Sequence, residues 1–228
     1  MNNLDLVILA GGKGSRIKKF LKNNPKPMAK FNNKYFIEYI IQNFSKYSFK
    51  RIFILTGYKS KIIINKFHKK LFNFVEINCF KEKTPMGTGG ALNILKKNKI
   101  NDFVLINGDT IFDINLNLLI NTIKKKQIGS MALIKNLSKK KYKLNNLSLN
   151  KNIITNQIKD NLKNGGIYFF KKKILKFVKN KNSSLENDIL PKLIKKDLLS
   201  GKIFNNFFLD IGTPNDYKKA KNSYIKNF

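Results

Sequence analysis

The run Leu9-Ala10-Gly11-Gly12-Lys13-Gly14-Ser15-Arg16, followed by Pro25-Lys26-Pro27-Met28, holds the densest set of residues able to do chemistry. Glycines at 11, 12 and 14 let backbone N–H groups converge on phosphate oxygens with no Cβ in the way, while Lys13 and Arg16 add charge. The segment Ala10 to Arg16 therefore reads as a cradle for a triphosphate. It is not a Walker A loop, since no Gly-Lys-Ser/Thr closes it, and the dinucleotide fingerprint fails at Ile17, where its third glycine would stand. A tight strand-to-helix turn would account for the glycines but not for Arg16 and a lysine between two prolines. Those prolines stiffen the backbone of Lys26 and lower the entropy of presenting its long side chain. Two acids stand at comparable places: Asp109 after the run Phe103–Asn107, and Asp210 after Ile203–Leu209. Either alone fits ordinary turn chemistry. Together, at the carboxyl ends of strands, they can share one Mg²⁺, which takes hard oxygen ligands and completes its shell with substrate phosphates.

Such residues need strands to carry them. The first half alternates β-branched runs (Leu6–Leu9, Arg51–Leu55, Val75–Phe80, Phe103–Ile106) with helical patterns over Tyr35–Tyr47, Lys59–Lys70 and Thr88–Lys97. That alternation predicts right-handed crossovers and a mostly parallel sheet, with ligands beyond the carboxyl ends of its strands. In the second half, Ser130–Lys135, Gly166–Phe170 and Ile203–Leu209 read as strands. Ser184–Lys195 reads as a helix capped by Ser184, and Pro214–Tyr224 as a helix with proline near its start. Lys135–Lys163, rich in Asn and Lys, reads as loops and short strands. At 228 residues the expectation is a single domain, in two halves of residues 1–110 and 111–228.

The formal net charge of +33 would ordinarily suggest nucleic acid or an anionic membrane. The excess is dispersed lysine mixed with abundant Asn, Ile and Phe, and only Arg16 and Arg51 supply guanidinium groups, so neither partner is expected. No run approaches eighteen apolar residues and no cleavable leader opens the chain, which predicts a soluble, cytoplasmic protein. The single cysteine, Cys79, reads as core, and His68, in a helical pattern away from the motifs, as a packing or surface residue. A homo-oligomer is compatible with the sequence.

On the Gly-Gly-x-Gly-x-Arg loop and Pro-Lys-Pro, the chain resembles the sugar-1-phosphate nucleotidyltransferases. The resemblance extends to Pro85-Met86-Gly87-Thr88-Gly89-Gly90-Ala91, Asn107-Gly108-Asp109, Asn164-Gly165-Gly166-Ile167-Tyr168 and Asp210-Ile211-Gly212-Thr213-Pro214. Within that family it is most similar to the D-glycero-D-manno-heptose 1-phosphate guanylyltransferases. The resemblance implies a three-layer, Rossmann-like α/β fold with a mostly parallel mixed sheet. It implies an NTP and a sugar 1-phosphate as substrates, residues 1–110 as the nucleotide-binding half and 111–228 as the sugar-binding half, and Mg²⁺ held by Asp109 and Asp210. A phosphate monoester has a second pKa of about 6 and arrives ionised, so positioning and charge neutralisation suffice for catalysis. Arg16 then falls to the triphosphate and leaving pyrophosphate, and Lys26 to the attacking and transferred phosphates.

By the same resemblance Gly87, Thr88 and Gly89 approach the base, and Glu82 falls where relatives read the base edge. A carboxylate can accept from two donors at once, and guanine offers adjacent N1–H and N2–H₂ where uracil and thymine offer one N–H, which favours GTP. Between Lys81 and Lys83, Glu82 reads equally well as a surface charge. Asn164, Gly165 and Glu186 match sugar contacts. Relatives carry a Glu-Lys pair before the Asn-Gly-Gly strand, whereas here Ile158 precedes Lys159, so Lys159 keeps a place at the sugar phosphate while the acidic contact is missing. A uridylyl-, cytidylyl- or thymidylyltransferase of the same family is an alternative, as is a catalytically silent sugar-nucleotide-binding homologue. A metal-dependent glycosyltransferase would carry Asp-x-Asp where this chain has Asn107-Gly108-Asp109.

Overall fold

The computed structural model describes residues 3–135, 147–155 and 160–221. The chain folds into two compact units, the first formed by Met1–Pro85, Ile106–Asp113 and Phe207–Phe228, the second by Met86–Leu105 and Ile114–Asn206. The strand Phe103–Asn107 carries the chain from the second unit into the first.

In the first unit, Asp5–Ala10 pairs in parallel with Arg51–Thr56, and that strand in parallel with Val75–Lys81. Leu6, Val7 and Ile8 are buried, as are Ile52 through Leu55, in keeping with strands covered on both faces. Asp5 has no solvent exposure yet stands in register with Arg51, whose guanidinium donates to both carboxylate oxygens at 2.9 and 2.7 Å. Burial of that acid is therefore matched by a bidentate partner. The helix Phe36–Phe44 buries Phe36, Ile37, Ile40, Ile41 and Phe44, and the Glu38 side chain caps it by accepting from the Tyr35 N–H at 2.6 Å. The helix Ser60–Phe67 ends at His68, whose Nδ1 accepts from the Cys79 N–H at 3.1 Å. His68 is thus an exposed residue held by a backbone N–H, and Cys79 is core, its thiol pushed up to about 12 by burial.

In the second unit, Gly129–Lys135 pairs antiparallel with Leu162–Phe170 and parallel with Leu199–Ile203. A hairpin of Ser148–Asn150 and Ile153–Thr155 adds to the free side of Leu199–Ile203. These are short strands, as expected of that stretch; residues 136–146 lie outside the described residues. Ser184 caps the helical segment Leu185–Lys195 by accepting from the Asn187 N–H at 3.1 Å.

Two expectations change. The helix expected over Thr88–Lys97 is two short pieces, Gly87–Gly90 and Asn93–Lys97, since consecutive glycines give a helix little support. The strand expected over Ile203–Leu209 is two strands, Leu199–Ile203 and Phe208–Asp210, parted by Asn205-Asn206, whose side chains favour turns. The last helix begins as expected, capped by Thr213 with Pro214 in its first turn, and is described over Pro214–Lys219; residues 222–224 of its expected span lie outside the described residues. Among the described residues no helix is long and apolar enough to cross a membrane.

Candidate active site

The glycine loop leaves the buried strand at Ala10 and exposes Gly12, Lys13, Ser15 and Arg16. Gly14 takes φ +63°, and a Cβ there would stand 3.0 Å from both the Leu21 Cδ1 and the Lys26 Cβ. The loop thus lies directly on the stem of Lys26, in a conformation that favours glycine. Gly11 is fixed from the neighbouring strand, its carbonyl accepting from the Tyr58 N–H at 3.1 Å. Gly57, immediately after that strand, approaches so closely that a Cβ on it would lie 2.9 Å from the Gly11 oxygen. Sequence reasoning missed Gly57 and Tyr58. Their position just beyond a parallel strand end was the available signal.

Lys26 opens a short 3₁₀ turn, Lys26–Met28, whose residues are all buried. Its ammonium donates to Asp109 Oδ2, forming a part-buried ion pair. Asp109 lies in the turn between Phe103–Asn107 and Thr110–Phe112. The second carboxylate arrives by a two-stranded ribbon: Phe208–Asp210 runs antiparallel to Thr110–Phe112, with Asp210 opposite Thr110. The Ile211 N–H donates to the Asp109 carbonyl at 3.0 Å, and the Gly212 N–H to Asp210 Oδ1 at 2.6 Å. Asp210 therefore ends a strand of a separate ribbon, and the ribbon is what brings it to Asp109. Burial, and after it the charge of Asp109, push the Asp210 carboxyl up to about 6 against the pull of Lys26. A Cβ on Gly212 would meet Asp210 Oδ1 at 2.8 Å and an Arg16 guanidinium nitrogen at 3.2 Å, so Arg16 and Asp210 converge over that glycine.

Among the described residues no cluster of three or more His, Cys, Asp or Glu side chains forms. The donor set for a cation is accordingly two carboxylates, which suits Mg²⁺, an ion that keeps several waters and shares phosphate oxygens. Burial first, and the Asp109 charge after it, raise the Asp210 carboxyl, and a cation bound there would offset both. Glu82 is half-buried, and its carboxylate oxygen lies 3.0 Å from where a Cβ on Gly11 would stand. The chain thus carries Glu82 to the loop.

In the second unit, the Thr88 hydroxyl donates to Glu186 Oε2 at 2.7 Å and accepts from the Leu185 N–H at 2.8 Å. The Ser184 hydroxyl donates to the same carboxylate oxygen at 3.0 Å. The Gly89 and Gly90 N–H groups donate to the Ser183 carbonyl at 2.9 and 3.1 Å. Thr88 and Glu186, expected at different substrates, are therefore bonded to each other, and Gly89 spends its N–H within the fold. Gly87 is exposed. The register of Leu162–Phe170 against Gly129–Lys135 shifts between Asn164 and Tyr168. The Asn164 amide spans that irregularity, donating to the Tyr168 hydroxyl and accepting from the Gly166 N–H at 2.9 Å, with Gly165 between. Lys159 lies outside the described residues. Ser183, whose Oγ is buried without a hydrogen-bond partner among the described residues, was missed by sequence reasoning, and nothing in its local sequence marks it.

Residues 6–227 match the protein family described as Nucleotidyl transferase. The chain belongs to that family. It is 34% identical over 219 residues to a D-glycero-alpha-D-manno-heptose 1-phosphate guanylyltransferase of Campylobacter jejuni, covering 94% of this chain and 97% of the relative. It is 30% identical to a protein of the same description from Aneurinibacillus thermoaerophilus, covering 96% and 97%. HddC from Yersinia pseudotuberculosis, solved in complex with GMP-PN, superposes with a TM-score of 0.77 at 27% identity, covering 95% of this chain and 97% of that one. Shared geometry over nearly the whole length makes the α/β fold with its mixed sheet that of the nucleotidyl transferases. In this family member the glycine loop, Lys26, Glu82 and the two aspartates all belong to the first unit, while Thr88, Asn164 and Glu186 belong to the second.

Proposed function

We propose that the chain is a sugar-1-phosphate nucleotidyltransferase that condenses GTP with a sugar 1-phosphate of the heptose or mannose type, giving a GDP-sugar and pyrophosphate. The observation that carries this is the grouping, within one unit, of an exposed glycine loop with Arg16, the buried Lys26, and the carboxylates Asp109 and Asp210. The similarity to two guanylyltransferases at 30% identity or more supports the same reaction.

An oxygen of the sugar phosphate forms a bond to the α-phosphorus of the nucleotide, and the bond between that phosphorus and the bridging oxygen breaks, so pyrophosphate leaves with the electron pair. The attacking monoester is ionised near neutral pH, and no side chain need remove a proton. Lys26 neutralises the attacking and transferred phosphates. Arg16 holds the triphosphate and the leaving pyrophosphate. The loop N–H groups orient the phosphates, and preorganised donors of this kind account for much of such catalysis. Asp109 and Asp210 would hold Mg²⁺, which supplies Lewis-acid charge against the phosphate oxygens when bound. Glu82, lying against Gly11, is assigned to the guanine N1–H and N2–H₂. Asn164, Gly165 and Glu186 are assigned to the sugar and Lys159 to its phosphate, the Glu186 carboxylate also accepting from Thr88. A nucleotide substrate fits the cytoplasmic location expected from the sequence.

The test is pyrophosphate release by the purified chain with Mg²⁺, each of the four NTPs, and a panel of sugar 1-phosphates. Release with GTP and a heptose or mannose 1-phosphate is expected. Release with no combination would overturn the reading, and release with another nucleotide alone would remove the guanine assignment.

A further inference from the structure

The ammonium of Lys26 rests on the carboxylate that the proposed metal needs. Lys26 is 8% exposed, its backbone is fixed by the flanking prolines and the turn Lys26–Met28, and its stem is pressed against Gly14. Among the described residues Asp109 is the hydrogen-bond partner of its ammonium. The ribbon that sets Asp210 opposite Thr110 brings a second carboxylate to the same place, so one ammonium stands against two negative charges. Removing these charges from water makes each pairwise interaction strong. A divalent cation entering between the carboxylates meets a like charge already seated on one of them.

We propose that Lys26 is the resident counter-cation of Asp109, that an arriving divalent cation displaces it, and that the ammonium so released passes to a phosphate. The proposal rests on the metal assignment made above. Metal alone then binds against competition from the protein's own lysine. Nucleotide removes that competition, because its phosphates give the ammonium a new partner. The coupling is reciprocal: metal strengthens nucleotide binding through Lys26 as much as nucleotide strengthens metal binding.

The experiment titrates Mn²⁺ into the full chain and counts the free ion by electron paramagnetic resonance, with and without a non-hydrolysable GTP analogue. Wild type is expected to bind Mn²⁺ weakly alone and more tightly with the analogue. Lys26→Met keeps the buried stem and removes the charge, so it should bind Mn²⁺ alone about tenfold more tightly, and the analogue should enhance that binding less than in wild type. Lys26→Gln provides the same comparison should the methionine variant fail to fold, as judged by its thermal melt. Mn²⁺ affinity in the lysine variants equal to or weaker than wild type, with Asp109→Asn having lost the ion, would overturn the displacement and leave the metal site standing. An Asp109→Asn chain that bound Mn²⁺ as wild type does would instead sink the metal assignment itself.

Discussion

Exchanging one carboxylate oxygen for an amide at Asp109 or Asp210 removes charge from the site while keeping its shape. Asp109→Asn and Asp210→Asn should each abolish turnover. Asp210→Asn should melt no lower than wild type, because burial and the Asp109 charge oppose its ionised form, whereas Asp109→Asn should melt lower, because it strips the buried Lys26 ammonium of its charged partner. Activity near wild type in either variant would end the shared-metal assignment. Lys26→Ala should lower kcat more than it raises the KM for nucleotide, by about 3 kcal/mol or roughly a hundredfold, as when a preorganised donor is lost. A change confined to KM would return Lys26 to simple binding. Glu82→Gln should erase a preference for GTP over UTP and CTP in kcat/KM, because the amide sets a donor against a donor of guanine. An unchanged ranking would return Glu82 to the surface. At this scale the sequence was informative where glycine, proline and charge stand together within a few positions, as at Gly11 to Arg16 and Lys26. It was silent on Gly57, which matters only because a parallel neighbour brings it against Gly11.

Whole elements depend on bonds that bridge them. The Thr88 hydroxyl ties the turn Gly87–Gly90 to the helical segment starting at Leu185, donating to Glu186 and accepting from Leu185. Thr88→Val would leave the Leu185 N–H without that acceptor, at a cost of about 1 to 2 kcal/mol. A lowered melting temperature and a raised KM for nucleotide are expected, with Thr88→Ser restoring both. Identical melts and KM values in Thr88→Val would show that this clasp carries neither packing nor binding. Helix ends were legible, since Ser184, Thr213 and Pro214 carry the local chemistry of caps. The strand Leu199–Ile203 was not. Its Ser200 and Gly201 lack the β-branched signature, and Gly201 is there because Ile154 and Leu133 pack so tightly that a Cβ would lie 2.8 Å from each.

Across the whole molecule, one buried acid and one excess of charge give separate expectations. Arg51→Met would strip the wholly buried Asp5 of its bidentate partner and should cost about 3 kcal/mol in denaturant unfolding. The double change Asp5→Val with Arg51→Met should recover most of it, and failure to recover would mean that the pair is not the source of the loss. The net charge of +33 should raise the encounter rate with anionic substrates, so kcat/KM should fall over a tenfold rise in ionic strength while kcat changes little. A kcat/KM insensitive to salt would show that the dispersed lysines do not steer substrates. The sequence by itself determined the glycine loop, the stiffened Lys26 and the alternation of strands and helices in the first half, because glycine spacing, proline flanks and hydrophobic period act between near neighbours. Only the tertiary structure decided that Asp210 stands across a ribbon from Thr110, that Glu82 reaches Gly11, and that Thr88 bonds Glu186 98 positions away. Those contacts follow from strand register and chain return, which are set by the packing of the whole fold and leave no mark in the residues on either side.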